Sequence, residues 1–261
     1  MKSDPQRLFG DSHEPAVTFI QEDTYIKEQY LALQGHALIQ INTEENLTSL
    51  LAGSISEEGF VDEIGTNARF HGLRSFLQLD STENILVTDG GNRCLRIIDK
   101  TNFNVSSHSG KCNHKGANND THDGTFAEVE YSDPYDIIAI PGTPFVALTD
   151  GSSLRVIDSC DESVTTKYNI TELNLGEKII LKRMGVSQET QLLFITTSAD
   201  LIVVLTNDFQ LKQKLKPKFI LNWLTDFAGI AVVSHSTLLV NSGPSSIFQG
   251  LLVISMEEEK A

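Results

Sequence analysis

Apolar residues in this chain come in short runs, alternating or continuous, broken every few positions by Gly, Asn, Asp and Ser. Runs of this length, rich in β-branched residues and bounded by turn formers, predict strands joined by hairpins. From Tyr30, YLALQGHALIQIN reads as a strand, a tight turn at Gln34 to His36 and a returning strand. NLTSLLAG gives a further strand ending at Gly53. SFLQL, NILVTD, CLRIID and NVSSHSG then read as four strands, as do YDIIAI, FVALTD, LRVID and SVTTKYN. Two more groups follow: KIILKRMGVS, TQLLFITTS, DLIVVLTND and QLKQKL, then FAGIAVVS, STLLVNSG and GLLVISME. No stretch carries a clear helical period; the best candidate, residues 21–34, reads equally well as strand.

The second and third groups are two copies of one pattern. Asp62 and Asp123 are 61 residues apart, and so are Ala68 and Val129, Phe70 and Tyr131, Leu73 and Pro134, and Asp89 and Asp150. A two-residue deletion follows, after which Leu95, Arg96, Ile97, Ile98 and Asp99 recur 59 positions later as Leu154, Arg155, Val156, Ile157 and Asp158. Asn42, Asp99, Asp158, Asp208 and Ser255 mark the end of the third strand in successive units, about 53 residues apart, the pace of a propeller or array. The fifth unit stops after its third strand. Since a closed propeller leaves no blade with an open edge, Ala16 to Ile20 is expected to supply the outer strand of the last blade. The expected organisation is an N-terminal arm over 1–15, one all-β propeller domain over 16–256 and an acidic tail over 257–261.

The recurring residues resemble an NHL repeat. The first copy matches through Gly59, Asp62, Ala68, Phe70, Val87-Thr88-Asp89 and Asn92 to Arg96. The second matches through Gly116, Asp123-Gly124, Tyr131, Pro134, Thr149-Asp150 and Leu154-Arg155. Glu63 stands where the pattern has a turn glycine, Leu73 where it has proline, and the third unit lacks the Asn. The likeness covers residues 53–165 and implies an NHL-type β-propeller of five recognisable blades, or six if one is missing. Within that family the chain is most similar to invertebrate extracellular NHL-repeat proteins with one Cys in the third strand and another after the fourth. Cys94 and Cys112 hold those positions, so the resemblance implies a disulfide; two reduced sheet cysteines are the other reading.

Composition narrows the function classes. The chain has 35 acidic and 20 basic side chains among 261 residues, a net charge of −15. That field repels the phosphate backbone and argues against nucleic-acid binding. No apolar run approaches the roughly 18–20 residues needed to span a bilayer, and the N-terminus has no signal-peptide core. The protein is expected to be cytosolic if that N-terminus is complete. Four N-x-S/T sequons, at Asn46, Asn104, Asn119 and Asn169, lean the other way, toward an extracellular or ectodomain location with those asparagines as glycosylation candidates. Three cysteines are too few for a disulfide-rich scaffold, and Cys160 has no counterpart in the repeat.

Asp89 and Asp150 invite a catalytic or metal reading. Their equivalent placement in both copies favours a structural one, accepting backbone N–H bonds at a strand turn. Residues 119–130 superficially fit a calcium loop, with Asn119 first, Gly124 sixth and Glu130 twelfth. Asn and Thr are weaker ligands than carboxylates there, and no flanking helices are expected, so a plain turn is favoured. The seven histidines show no metal spacing, and no nucleophile elbow or phosphate loop is present. No catalytic residue, metal ligand set or cofactor is assigned. The reading is a non-catalytic binding or scaffold module for a protein or glycan partner. Its interaction site is placed on loops before the first strands of units two and three, at His71, Arg74, Asp133 and Tyr135. The competing reading is a calcium- or zinc-dependent hydrolase or lyase using the central channel.

Overall fold

A computed structural model of the protein describes residues 15, 17–79, 84–112, 121–173, 179–198, 202–206, 208–215, 227–234, 237–242 and 251–255. The acidic tail, most of the N-terminal arm, Asn119 and the start of the calcium-like run lie outside these residues. The chain divides into two compact units, Met1–Asn119 and Asp120–Ala261. No helix among the described residues is long and apolar enough to cross a membrane.

Unit one holds two antiparallel meanders. The first comprises β1 (Val17–Glu22), β2 (Gln29–Gln34), β3 (His36–Asn42) and β4 (Leu47–Ser54). The second comprises β5 (Leu73–Gln78), β6 (Ile85–Asp89), β7 (Cys94–Ile98) and β8 (Val105–Ser109). Unit two holds three more. Its first has the order β10-β11-β12-β13-β9, built from β9 (Gly124–Thr125), β10 (Pro134–Ala139), β11 (Phe145–Asp150), β12 (Ser153–Asp158) and β13 (Ser163–Asn169). Next come β14 (Leu181–Val186), β15 (Leu193–Thr197), β16 (Ile202–Leu205) and β17 (Leu211–Leu215). The last is β18 (Phe227–Ser234), β19 (Thr237–Ser242) and β20 (Leu251–Ser255).

The N-terminal strand is not where the open edge of the fifth unit led us to expect it. β1 pairs antiparallel with β2 and opens the first sheet. A hairpin closed over residues 23–28 forms at far less entropic cost than a contact spanning most of the chain. The loop also carries its own bonds: the Asp23 carboxylate accepts from Tyr25 and Ile26 N–H, and Asp23 N–H donates to Gln29 O. Phe19 then packs edge-to-face on Phe76 of β5 at 5.0 Å. With β1 as first strand, Asn42 ends a true third strand. In the fourth unit the third strand ends at Leu205 rather than Asp208, whose carboxylate accepts from the Thr206 hydroxyl in the turn.

Two of the second strands are buried along their length: every residue of β6 and β15 is buried, which is why each opens on three consecutive apolar residues rather than an alternation. In unit one Leu31, Leu38, Phe70, Phe76 and Val87 share a core between the two sheets. In unit two Leu154, Tyr168, Leu181, Met184 and Ile195 do the same. A threonine rung recurs inside three sheets: Thr88, Thr149 and Thr196 hydroxyls accept N–H from Ser75, Asp136 and Arg183. The hairpins after the third strands also repeat. Asn42, Asp99 and Asp158 side chains accept from the amide two residues on, and the fifth residue of each turn is left-handed, Asn46 (φ 51), Phe103 (φ 57) and Glu162 (φ 48).

Outer edges are covered or charged, as sheets require to avoid edge-to-edge pairing. The segment before β5 runs along β8, where Gly65 N–H donates to Phe103 O and Val105 N–H to Glu63 O. Its counterpart is strand β9 along β13, with Phe126 N–H donating to Glu162 O. The edge strand β17 carries Lys212 and Lys214, both exposed. Cys94, buried at the start of β7, is joined to Cys112 beyond β8 by a disulfide with a Cα–Cα distance of 5.0 Å, while Cys160 is free and exposed. Replacing both bridged cysteines by alanine should lower unfolding free energy by about 3 kcal/mol, the cost expected for an 18-residue span. Urea denaturation of both forms checks this; coincident midpoints would show that the bridge does not hold the second sheet.

Candidate functional site

Each half of the repeat is built around a buried arginine. Arg96 in β7 and Arg155 in β12 are inaccessible, each between two aspartates. Arg96 Nη1 reaches Asp89 Oδ2 at 3.0 Å and Nη2 donates to Asp62; Arg155 reaches Asp150 at 3.1 Å and Asp123 at 2.9 Å. The same guanidinium nitrogens also donate to backbone carbonyls of the leading segment, Val61 and Arg69 in one copy, His122 and Glu130 in the other. Asp62 and Asp123 extend the clamp outward by accepting N–H and hydroxyl bonds from Ser107 and Thr166 on the fourth strands. Aromatic faces cover the cations: Phe60 and Phe70 at 4.7 and 5.1 Å from the Arg96 guanidinium, Tyr131 at 5.1 Å from that of Arg155.

The carboxylates differ by depth. Burial pushes Asp89 and Asp150 up, against the pull of the arginines and the hydrogen bonds they accept. At exposed Asp123 the little burial there is also pushes up, but bonds from Thr166 and Arg155 outweigh it and hold the carboxyl below the usual range. Asp89 and Asp150 also accept backbone N–H from His71 and from Ser132 and Asp133, fixing the corner that leads into each first strand. Both oxygens of Asp123 are engaged within the clamp. No group of three or more His, Cys, Asp or Glu side chains among the described residues could hold a metal ion.

These corners hold the residues singled out from sequence. In unit one His71 is half-exposed, its Nε2 3.1 Å from Glu58 Oε2, and its ring lies 6.1 Å from that of His36. His36 Nδ1 accepts the Gly72 N–H at 3.0 Å. Arg74 lies against Gly90 and His71 against Gly91, close enough that a Cβ on Gly91 would meet the His71 ring at 2.5 Å. In unit two Tyr135 lies over the Arg183 guanidinium at 5.0 Å. Arg183 is paired with buried Asp136 at 3.1 Å, and Asp136 also accepts the Met184 N–H. Asp133 sits beside them with its N–H on Asp150. His36 and Glu58 join these corners without being expected there, as do the pairing of Asp136 with Arg183 and the clamp role of the two arginines. For Arg96 and Arg155 the signal was present: an arginine recurring in step with two aspartates inside a strand.

Of the remaining candidates, Asn46 is exposed in a turn and Asn104 is exposed just beyond one, where it bridges to Ile64. Asn169 is half-buried, with its amide oxygen accepting from Thr171 N–H and hydroxyl and its amide nitrogen facing Ser153 Oγ. His108 on β8 is held neutral by burial, which lowers its pKa to about 4.

The sequence matches no family model and no curated protein. The fold does have known counterparts. The β-propeller domain of Myceliophthora thermophila Cps50 (Swd1) superposes with a TM-score of 0.58 at 9% identity, covering 93% of this chain and 70% of that one. Two structures of the extracellular domain of BT4673 from B. thetaiotaomicron, described as a one-component and a hybrid two-component system, have TM-scores of 0.54 at 9% and 10% identity. Each covers 87% of this chain, which spans only 26% of their length. At these identities the likeness shows the fold: the protein is an all-β chain of β-propeller type.

The clamp predicts a specific asymmetry between variants. At the position equivalent to Arg96 the first and fourth sheets carry buried Ile39 and Val203, and Thr197 stands at the position of Asp89. Asp89→Ala leaves Arg96 with a buried, half-compensated charge and should cost about 3–5 kcal/mol. The double variant Asp89→Thr/Arg96→Met, close to what the fourth sheet uses, should cost clearly less. Equal losses in denaturant titrations would contradict this account of the clamp.

Proposed function

We propose that this chain is a non-catalytic binding or scaffold module of the NHL-type propeller class, its five sheets read as five blades. It engages a protein or glycan partner through the corner loops at His71, Arg74, Asp133 and Tyr135. One observation carries the reading. Set in register, the two copies use equivalent aspartates and arginines to build corresponding internal networks, while the corners differ, His71 against Ser132 and Arg74 against Tyr135. Recurring residues are consumed by the fold; loops on a rigid frame that differ between copies are where recognition resides. Arg and Tyr are side chains that anchor interfaces.

The disulfide, the exposed sequons and the likeness to a bacterial extracellular domain support an extracellular or ectodomain location. The acidic field and the absence of a basic, aromatic-studded face in the composition disfavour nucleic acid as partner.

The test is binding by the purified, disulfide-intact chain to secreted-protein libraries and glycan arrays, followed by alanine variants of the four corner residues. At least two should weaken the captured interaction about tenfold, while Lys212→Ala on the outer edge of β17 leaves it unchanged. Stoichiometric calcium or zinc supporting a hydrolase or lyase activity would overturn the reading.

Expressed through a secretory pathway, the chain should carry N-glycans at Asn46 and Asn104 and none at Asn169, whose amide is held by Thr171 and Ser153. Site-resolved mass spectrometry after enzymatic deglycosylation reads each asparagine separately. Occupancy at Asn169 with none at Asn46 would show that turn geometry does not select the sites.

A further inference from the structure

We propose that His36 and the Gly72 amide form an acid-released latch that holds the His71 corner of unit one to the neighbouring sheet. The consequence for ligand binding rests on the function proposed above; the latch itself does not.

The backbone at His36 has little freedom. It follows Gly35, whose φ of +61° makes the tight turn between β2 and β3 and whose missing side chain would otherwise run into the Ile55 carbonyl. From this fixed position Nδ1 lies 3.0 Å from the Gly72 nitrogen. A backbone N–H can only donate, so Nδ1 must be the acceptor and the ring must be neutral, with its proton on Nε2. An imidazolium has no lone pair at Nδ1. Protonation there would set N–H against N–H, so the bond cannot survive it.

What this bond holds is a corner otherwise tied only within its own sheet by the described backbone bonds. His71 N–H goes to Asp89, His71 O accepts from Gly91, and Gly72 O accepts from Gly90. The opposite end of the same seam has a different tie. There the Gln78 amide donates to Glu22 O and accepts from Thr24 N–H, a pair that does not titrate. Acid therefore frees one end of the seam and leaves the other shut, and the freed end is the one carrying His71.

Two titratable groups act on His36 from the segment leading into β5. Burial lowers its pKa, the Glu58 carboxylate opposes that, and the His71 ring lowers it further. The sign follows. A histidine whose folded pKa lies below its ordinary value contributes its bond fully above that value, and loses it as pH falls through the acidic range beneath. Neutralising Glu58 removes the one group that favours the imidazolium and should move release to lower pH.

The experiment is hydrogen exchange at the Gly72 amide in the ligand-free protein, expressed as protection relative to the intrinsic rate at each pH. From about pH 7.5 to about pH 5, wild-type protection should fall about tenfold or more. In His36→Asn, whose Oδ1 can accept the same N–H without titrating, protection should stay level. In His36→Phe it should be low throughout, and in Glu58→Gln the fall should shift to more acid pH. Wild type and His36→Asn with the same pH profile, or a nitrogen spectrum placing the neutral proton on Nδ1, would overturn the latch. Because no ligand is present, that outcome leaves the binding reading standing. Failure of the corner variants to affect binding would remove that reading and leave the latch.

Discussion

In the doubled stretch the leading segment and the corner of each copy depend on an arginine buried between two aspartates. Five donors fixed in one plane let Arg96 or Arg155 bond an inner carboxylate, an outer carboxylate and two carbonyls of the leading segment at once. An exposed ion pair contributes at most about 1 kcal/mol, but a buried one broken on one side costs several. The clamp therefore acts less as net stabilisation than as specification. It admits one placement of the leading segment, over the outer edge of the fourth strand, and one placement of the corner entering the first strand. Lysine could not substitute, since a single ammonium cannot span carboxylate, carboxylate and carbonyl in fixed directions.

The other sheets show that such specification is optional. Ile39 and Val203 occupy the arginine position, and the threonine rung persists without the clamp in the fourth sheet at Thr196. A hydrophobic residue there supports the core as well as an ion pair does, but it holds no leading segment. Besides the Arg155 clamp, unit two ties two of its sheets through Asp136 and Arg183, half a clamp set between sheets rather than within one. One family of charge pairs thus does two jobs, anchoring loops where loops need anchoring and joining neighbouring sheets where they do not.

Strand positions and their grouping were legible because a two-residue period bounded by turn formers is local, and a repeat in register confirms it independently. The turn residues Asn42, Asp99 and Asp158 were legible for the same reason. β1 was not: it has no counterpart in the repeat, and its exposed pattern gives no face to match, so only the hairpin it forms with β2 reveals its place. Arg96 and Arg155 were hidden by their charge, which reads as solvent-facing until the partner aspartates are seen recurring with them. His36 with Gly72 and Asp136 with Met184 left no trace, because the partner in each case is a backbone amide that any sequence supplies.

This last class of interaction sets where a corner sits without setting which side chains it carries. A side chain bonded to a distant backbone amide fixes geometry without demanding a partner residue, so the corner around it can vary while its position does not. Asp89 and Asp150 hold His71 and Ser132 in the same way although the held residues share nothing chemically. A frame of that kind separates two requirements that usually conflict, rigid placement and freedom of identity. Different side chains can then be set at equivalent corners without cost to the sheets beneath. The aspartates that first resemble a catalytic pair are what fix the variable corners in place.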